Sequence, residues 1–236
     1  MEWTATAIEG LRFGYADHGS QSYYLVQNER PMRTLNSSMW GEGFGSHLQL
    51  MNRQVDKSYH CDDPLQEMHR FMEESGLKPE HTAALLTAAD LRDRAAAEWR
   101  VDEETLVCTW STAGLGNKAR AGVRPAGSPL YPGTINIIVV VDGSLMDAAF
   151  VNAVITATEA KAAALQELGV RLTDSGQTAT GTTTDAVLVA ATGRGAAFRY
   201  AGTATRLGYA IGRTVFDTVL QSGRRYLDRT GSKEGD

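Results

Sequence analysis

The sequence predicts an α/β protein, a layered fold with a central mixed, partly parallel sheet flanked by helices. Three observations carry this reading. The run INIIVVV, residues 135–141, has the strongly apolar character of a strand covered on both faces. Residues 134–192 read as strand, long helix, strand, the order of a crossover unit that places its two strands parallel. The first half is rich in short extended segments, which add further strands to the same sheet.

Taken in order, TATAIEGLRF, SYYLVQ and RPMRTLNSS are extended by composition, and TAALLTAA suits a strand or a helix. Between them DDPLQEMHRFMEESGL sets Leu65, Met68, Phe71 and Met72 at helical spacing, with Asp62 or Asp63 as cap, Pro64 in the first turn and Gly76 as terminator. ETLVCTWST is a further strand leading into the turn AGLGNKARAG. The proline- and glycine-rich stretch 121–133 is irregular, either a loop over the site or a connector. After it come a strand at 134–141, the turn DGS, a helix at 145–168, a loop at 169–184, a strand at 185–192 and a helix at 203–228. The loops at the strand ends are expected to meet near one edge of the sheet.

The 236 residues suffice for one large domain without disulfide or metal staples. We read residues 1–230 as a single domain and 231–236 as a flexible tail. Lys and Arg total 23 against 28 acids, a net charge of −5 without a dense basic block, which disfavours a nucleic-acid partner. Cys61 and Cys108 are too few for a disulfide framework, and MEWTATAIEG lacks the basic start and apolar core of an export signal. The apolar run 135–141 is far short of the roughly 20 residues a membrane helix needs, so a cytoplasmic protein without membrane contact is expected. A homo-oligomer is compatible with this composition, which does not set the oligomeric state.

Candidate chemistry lies in three places. The strand at 134–141 ends on Asp142 and the next helix opens near Asp147. Asp147 suits the helix dipole, whereas Asp142 stands where open α/β sheets collect ligand groups. Within the helix, Asn152, Thr156 and Glu159 fall on one face, either a solvated face or the border of a cavity in which Glu159 acts as acid or base. LNSSMWGEGFG, residues 35–45, is most simply a hairpin loop, although its serines and glycines also offer hydroxyls and open backbone N–H groups. SGQTATGTTTDAVLVAA, residues 175–191, sets threonines and Asp185 before an apolar strand and reads as a loop presenting polar atoms. His60, Cys61 and His69 lack a second pair at zinc-like spacing, so no metal is expected; nor is a P-loop or a G-x-S-x-G elbow present.

The ordered series GTINIIVVVDGSLMDAAFVNAVITATEAKAAALQELGVR, SGQTATGTTTDAVLVAATGRG and YAGTATRLGYAIGRTVFDTV, within residues 133–219, resembles the adenosylcobinamide amidohydrolase family. Weaker echoes lie in LNSSMWGEGFG, in LLTAAD ending on Asp90, and in STAGLGNKARAG. The resemblance implies hydrolysis, with no cofactor, of the amide joining aminopropanol to a corrin propionate, which releases adenosylcobyric acid for corrinoid salvage. A corrinoid is apolar on its faces and fringed with amides, so its pocket needs many small donors and acceptors. Thr180, Thr182, Thr183, Thr184 and Asp185 supply such a row. On this reading Asp142, Glu159 or Asp185 is the base and Thr183 a candidate nucleophile. Asn36, Ser37, Ser38, Asp90, Asn117 and Asn136 join Thr182 and Thr184 in contacting substrate, all converging on one recess. Trp40 and Glu42 are bulkier than the family pattern, which bears either on substrate choice or on the level of activity. The rivals are a corrinoid binder without turnover and a hydrolase of a related cobamide amide.

Overall fold

A computed structural model describes residues 1–124 and 133–231. Most of the irregular stretch 121–133, with Tyr131 in it, and the tail beyond Gly231 lie outside the described residues. The chain forms β1 (Glu2–Ala5), β2 (Leu11–Ala16), β3 (Tyr23–Asn36), β4 (Gly43–Gln54), α1 (Pro64–Glu74), β5 (Thr82–Thr87), β6 (Ala95–Arg100), β7 (Leu106–Ala113) and β8 (Lys118–Ala119). There follow β9 (Ile135–Val141), β10 (Ser144–Leu145), α2 (Asp147–Glu167), β11 (Gly181–Thr182), β12 (Ala186–Ala191), β13 (Ala197–Phe198) and α3 (Arg206–Gly231).

The local signals act as expected at α1. Asp63 accepts from the Gln66 amide at 2.9 Å, Pro64 opens the first turn, and Gly76 just beyond the helix takes φ +70°. TAALLTAA resolves as strand β5 because Ala83, Ala84 and Leu85 are buried on alternating sides of a sheet. The segment TATAIEGLRF is broken in two where one extended run was expected. Gly10, at φ +76°, turns the chain so that β1 and β2 pair as a hairpin. The hairpin expected at LNSSMWGEGFG is present, with Asn36 of β3 opposite Gly43 of β4. Its second strand, β4, runs on to Gln54 and was hidden by Gly43 and Gly45 at its start and Gly41 just before it. β6 escapes a reading by hydropathy because only Ala95 in it is fully buried.

Nine strands of the described residues share one sheet in the path β1-β2-β3-β12-β9-β7-β6, with β4 joined to β3 and β5 to β4. The sheet is mixed: β9 and β12 run parallel, as do β4 and β5, and the remaining pairs in it are antiparallel. Successive residues of β9 divide between two cores. Ile135, Ile137, Val139 and Val141 pack with Phe150 and Ala153 of α2 and Ile211 and Val215 of α3. Ile138 and Val140 face Tyr24, Leu50 and Leu85 of the β3–β4–β5 portion. That portion buries its other face, through Leu25 and Met51, against Met68 and Met72 of α1. The order is therefore helix, sheet, sheet, helix, with the sheet curled so that its two portions stack. α2 is apolar and long enough to cross a membrane by composition, but its Ala149, Phe150, Ala153, Ala157, Ala164 and Leu165 are buried in this core.

The parallel crossover fixes where the polar loops go. Asn136 lies opposite Ala186 and Val141 opposite Ala191. Asp185, just before β12, therefore sits at the entry end of the pair, and Asp142, just after β9, at the exit end. Seven residues of strand at ~3.3 Å each separate the two levels by roughly 20 Å.

Candidate functional site

The entry end gathers loops from four elements. β7 runs antiparallel to β9, with Ala113 opposite Ile135, so Gly114–Asn117 emerge here. β3 ends here because Asn36 lies opposite Leu188 of β12 and the Ser37 hydroxyl accepts from the Val187 amide at 2.9 Å. Gly133 and Thr134 precede β9, and Thr180–Asp185 precede β12.

Asp185 is the hub. Its carboxylate accepts from the amides of Ile135 at 3.0 Å and Thr182 at 3.0 Å, from the Thr182 hydroxyl, and from the Lys161 ammonium. The side chains of Lys161 and Asp185 are only 9% and 11% exposed, so the pair is withdrawn from water. Gly181 makes room for it, since a Cβ there would stand 2.2 Å from Asp185 Oδ2 and 2.8 Å from Lys161 Nζ. With these donors the lone pairs of Asp185 are filled.

Beyond that hub the loop presents hydroxyls. Thr183 and Thr184 are exposed. Asn117 Nδ2 donates to Thr183 Oγ1 at 2.6 Å, while Asn117 Oδ1 is buried without a partner among the described residues. Thr184 Oγ1 shares a 2.8 Å hydrogen bond with Thr134 Oγ1 and donates to the Gly133 carbonyl at 3.1 Å. Thr182 is buried and Thr180 Oγ1 accepts from the Ala121 amide at 2.9 Å. β11, which contains Thr182, pairs with β8, so the segment after Asn117 is stitched to the threonine loop.

The other expected residues divide. Ser38 is half-buried next to Ser37. Asn36 is buried and donates to the Trp40 carbonyl at 2.8 Å, so it shapes the hairpin. Asn136 is fully buried between the stacked sheet portions and donates to Asn52 Oδ1 at 2.8 Å and the Leu86 carbonyl at 3.0 Å. Asp90 caps a short turn, and its pairing with Arg92 holds its carboxyl below the usual carboxylate range. It also lines a cavity of about 230 Å³ with Gly114, Tyr226 and Arg229.

The three acids expected to share a recess are not brought together. Asp142 is at the exit end, where its carboxylate accepts from Thr192 Oγ1 at 2.7 Å and Arg194 Nε at 3.0 Å. Glu159 is exposed on α2. Its neighbours on that face serve another purpose: Thr156 donates to the Ala201 carbonyl at 2.9 Å and Asn152 Oδ1 accepts from the Ala201 amide, docking the loop before α3. Among the described residues no group of His, Cys, Asp and Glu is placed to hold a metal ion.

Lys161 was missed by sequence reasoning, although a signal existed. It falls in register with Ala149, Ala153, Ala157 and Ala164 on the buried stripe of α2. A lysine on such a stripe requires a partner acid.

The sequence model of the adenosylcobinamide amidohydrolase family matches residues 5–231. An uncharacterized protein of Methanocaldococcus jannaschii is 33% identical over 165 residues, which cover 62% of this chain and 64% of the relative. The adenosylcobinamide amidohydrolase of Halobacterium salinarum is 34% identical over 63% of this chain and 62% of its own length. That of Methanosarcina mazei is 31% identical over 60% of each. The chain thus spans somewhat under two thirds of the curated relatives it matches. A Burkholderia sp. beta-aminopeptidase superposes with a TM-score of 0.44 at 11% identity over 91% of this chain and 84% of its own, too distant to carry an argument. The family match runs through each loop gathered at the entry end, and the chain belongs to the adenosylcobinamide amidohydrolase family.

Proposed function

We propose that the protein hydrolyses the amide between aminopropanol and the corrin propionate of adenosylcobinamide, giving adenosylcobyric acid. The observation that carries this reading is the family match over residues 5–231, which includes the whole cluster around Thr183. Two curated relatives named adenosylcobinamide amidohydrolase support the same substrate.

Amide hydrolysis needs a nucleophile at the carbonyl carbon and donors at the carbonyl oxygen. We assign the attack to the Thr183 hydroxyl, which is exposed and within 2.6 Å of the Asn117 amide. Oγ1 forms an ester with the propionate carbonyl as the C–N bond breaks, and the hydroxyl proton leaves on the amine of aminopropanol. Water then cleaves the ester, returning a proton to Oγ1 and releasing the acid. Substrate takes over the Asn117 donor, so that Asn117 Nδ2 turns from Thr183 to the developing oxyanion. Thr184 and Ser38 face the amide fringe of the corrin. Asp142 and Glu159 stand apart from this cluster and have no part in the proposed reaction.

The test is incubation of the protein with adenosylcobinamide, with and without chelator, followed by mass spectrometry. Adenosylcobyric acid and aminopropanol appearing in equal amounts is the expected result. Tight binding with neither product would replace the proposal by a non-catalytic corrinoid binder.

A further inference from the structure

We propose that Lys161 is a positioning residue which, through Asp185, fixes the direction of the Thr183 and Thr184 hydroxyls at the substrate face. The inference rests on the amide-hydrolase reading above. Lys161 stands on the alanine-lined inner stripe of α2, where an apolar side chain would fill the space without any charge to compensate. Replacing a buried ion pair by apolar groups of similar volume is commonly neutral or stabilising, so packing alone gives no reason for a lysine here. Direction does. The single Asp185 carboxylate joins α2 through Lys161, the start of β9 through the Ile135 amide, and the threonine loop through the Thr182 amide and hydroxyl. These bonds leave Asp185 little rotational freedom.

The anchored residues and the presented ones are adjacent. Thr182 points inward and is bound, and Thr183 and Thr184 follow it directly into solvent. Gly181 permits the approach, because a side chain there would collide with both members of the pair. The loop thereby hangs from the rigid helix layer at one point immediately before its exposed hydroxyls. Lys161 itself stays behind the loop and touches Asp185, so its effect on the reaction passes through position.

The test uses Lys161→Met, Lys161→Arg and the double variant Lys161→Met/Asp185→Asn. The double variant removes both charges together and leaves neither buried alone, which keeps the experiment readable if a single variant fails to fold. It is expected to melt close to wild type yet to lose turnover of adenosylcobinamide by about 10²-fold with KM little changed, the signature of misplaced groups. Lys161→Arg, which keeps a cation, is expected to recover part of the loss. Amide hydrogen exchange should accelerate at Thr182 and Thr183 while Val139 and Val140 stay protected. A folded double variant with wild-type kcat, or with unchanged exchange in the loop, overturns the proposal. If wild type itself shows no turnover, the amidohydrolase reading fails separately. Exchange then decides alone: acceleration confined to the loop supports the anchor and its absence refutes it.

Discussion

Both ends of the β9–β12 pair carry the same three groups, an aspartate, a cation and a threonine. At the entry end they are Asp185, Lys161 and Thr182; at the exit end, Asp142, Arg194 and Thr192. The chemistry of the two trios is alike and their surroundings are not. Lys161 is 9% exposed and reaches Asp185 from a buried helix face, whereas Arg194 is 37% exposed and also donates to the Glu9 carbonyl at 2.9 Å. A charge pair withdrawn from water must be satisfied on every side, and it therefore dictates the shape of the loop around it. At the exit end Asp142 is itself only 15% exposed, but its cation reaches solvent, and such a pair constrains its surroundings less. The entry end continues into the exposed hydroxyls of Thr183 and Thr184 beside the Asn117 amide donor.

The largest expected effect separates the two trios by stability. Asp185→Asn leaves the Lys161 ammonium buried without a counter-charge and should cost about 3–5 kcal/mol in urea unfolding. Asp142→Asn should cost under about 1 kcal/mol. Equal losses would erase the distinction. Next comes Gly181→Ala, whose Cβ meets Asp185 and Lys161. It should cost about 1–3 kcal/mol and be strongly non-additive with Asp185→Asn, because both changes act on the same contacts. Gly193→Ala, at φ +76° with no atom within 4 Å of the added Cβ, is the exit-end control. It should cost about 1–2 kcal/mol from its backbone alone and add independently to any entry-end change.

A smaller effect is expected from Arg194→Ala, below about 1 kcal/mol and diminished further by salt. The smallest prediction lies in neither trio. Burial lowers the pKa of His47 from 6.5, so the folded state holds its neutral form. Its stabilising contribution is complete above that value and is lost as pH falls through it toward the folded-state pKa, because the unfolded chain then binds more protons. His47→Gln should flatten the stability profile as pH falls below 6.5 while leaving the difference between the two trios unchanged.

Much of this arrangement was legible in the sequence. The crossover from INIIVVV through the long alanine-rich helix to AVLVAA follows from periodicity, and the helix at 64–74 from Asp63, Pro64 and Gly76. The separation of Asp142 from Asp185 was legible too, since one follows its strand, the other precedes its own, and parallel strands put those positions at opposite ends. The expectation of one recess read both as strand tips without regard to direction. The Lys161–Asp185 pair was harder to foresee, because its members stand 24 positions apart and meet only once α2 packs on the sheet. The fully buried place of Asn136 depends likewise on the curl that stacks β5 over β9, which no local pattern encodes.

The central claim is that the reaction belongs to the entry end. The most direct test measures adenosylcobyric acid formation by wild type, Asn117→Ala and Asp142→Asn side by side on adenosylcobinamide. The account predicts that Asp142→Asn keeps near wild-type turnover and that Asn117→Ala, deprived of its carbonyl donor, falls by about 10²–10³-fold. Loss of activity in Asp142→Asn with Asn117→Ala unaffected would move the chemistry to the other end and contradict it.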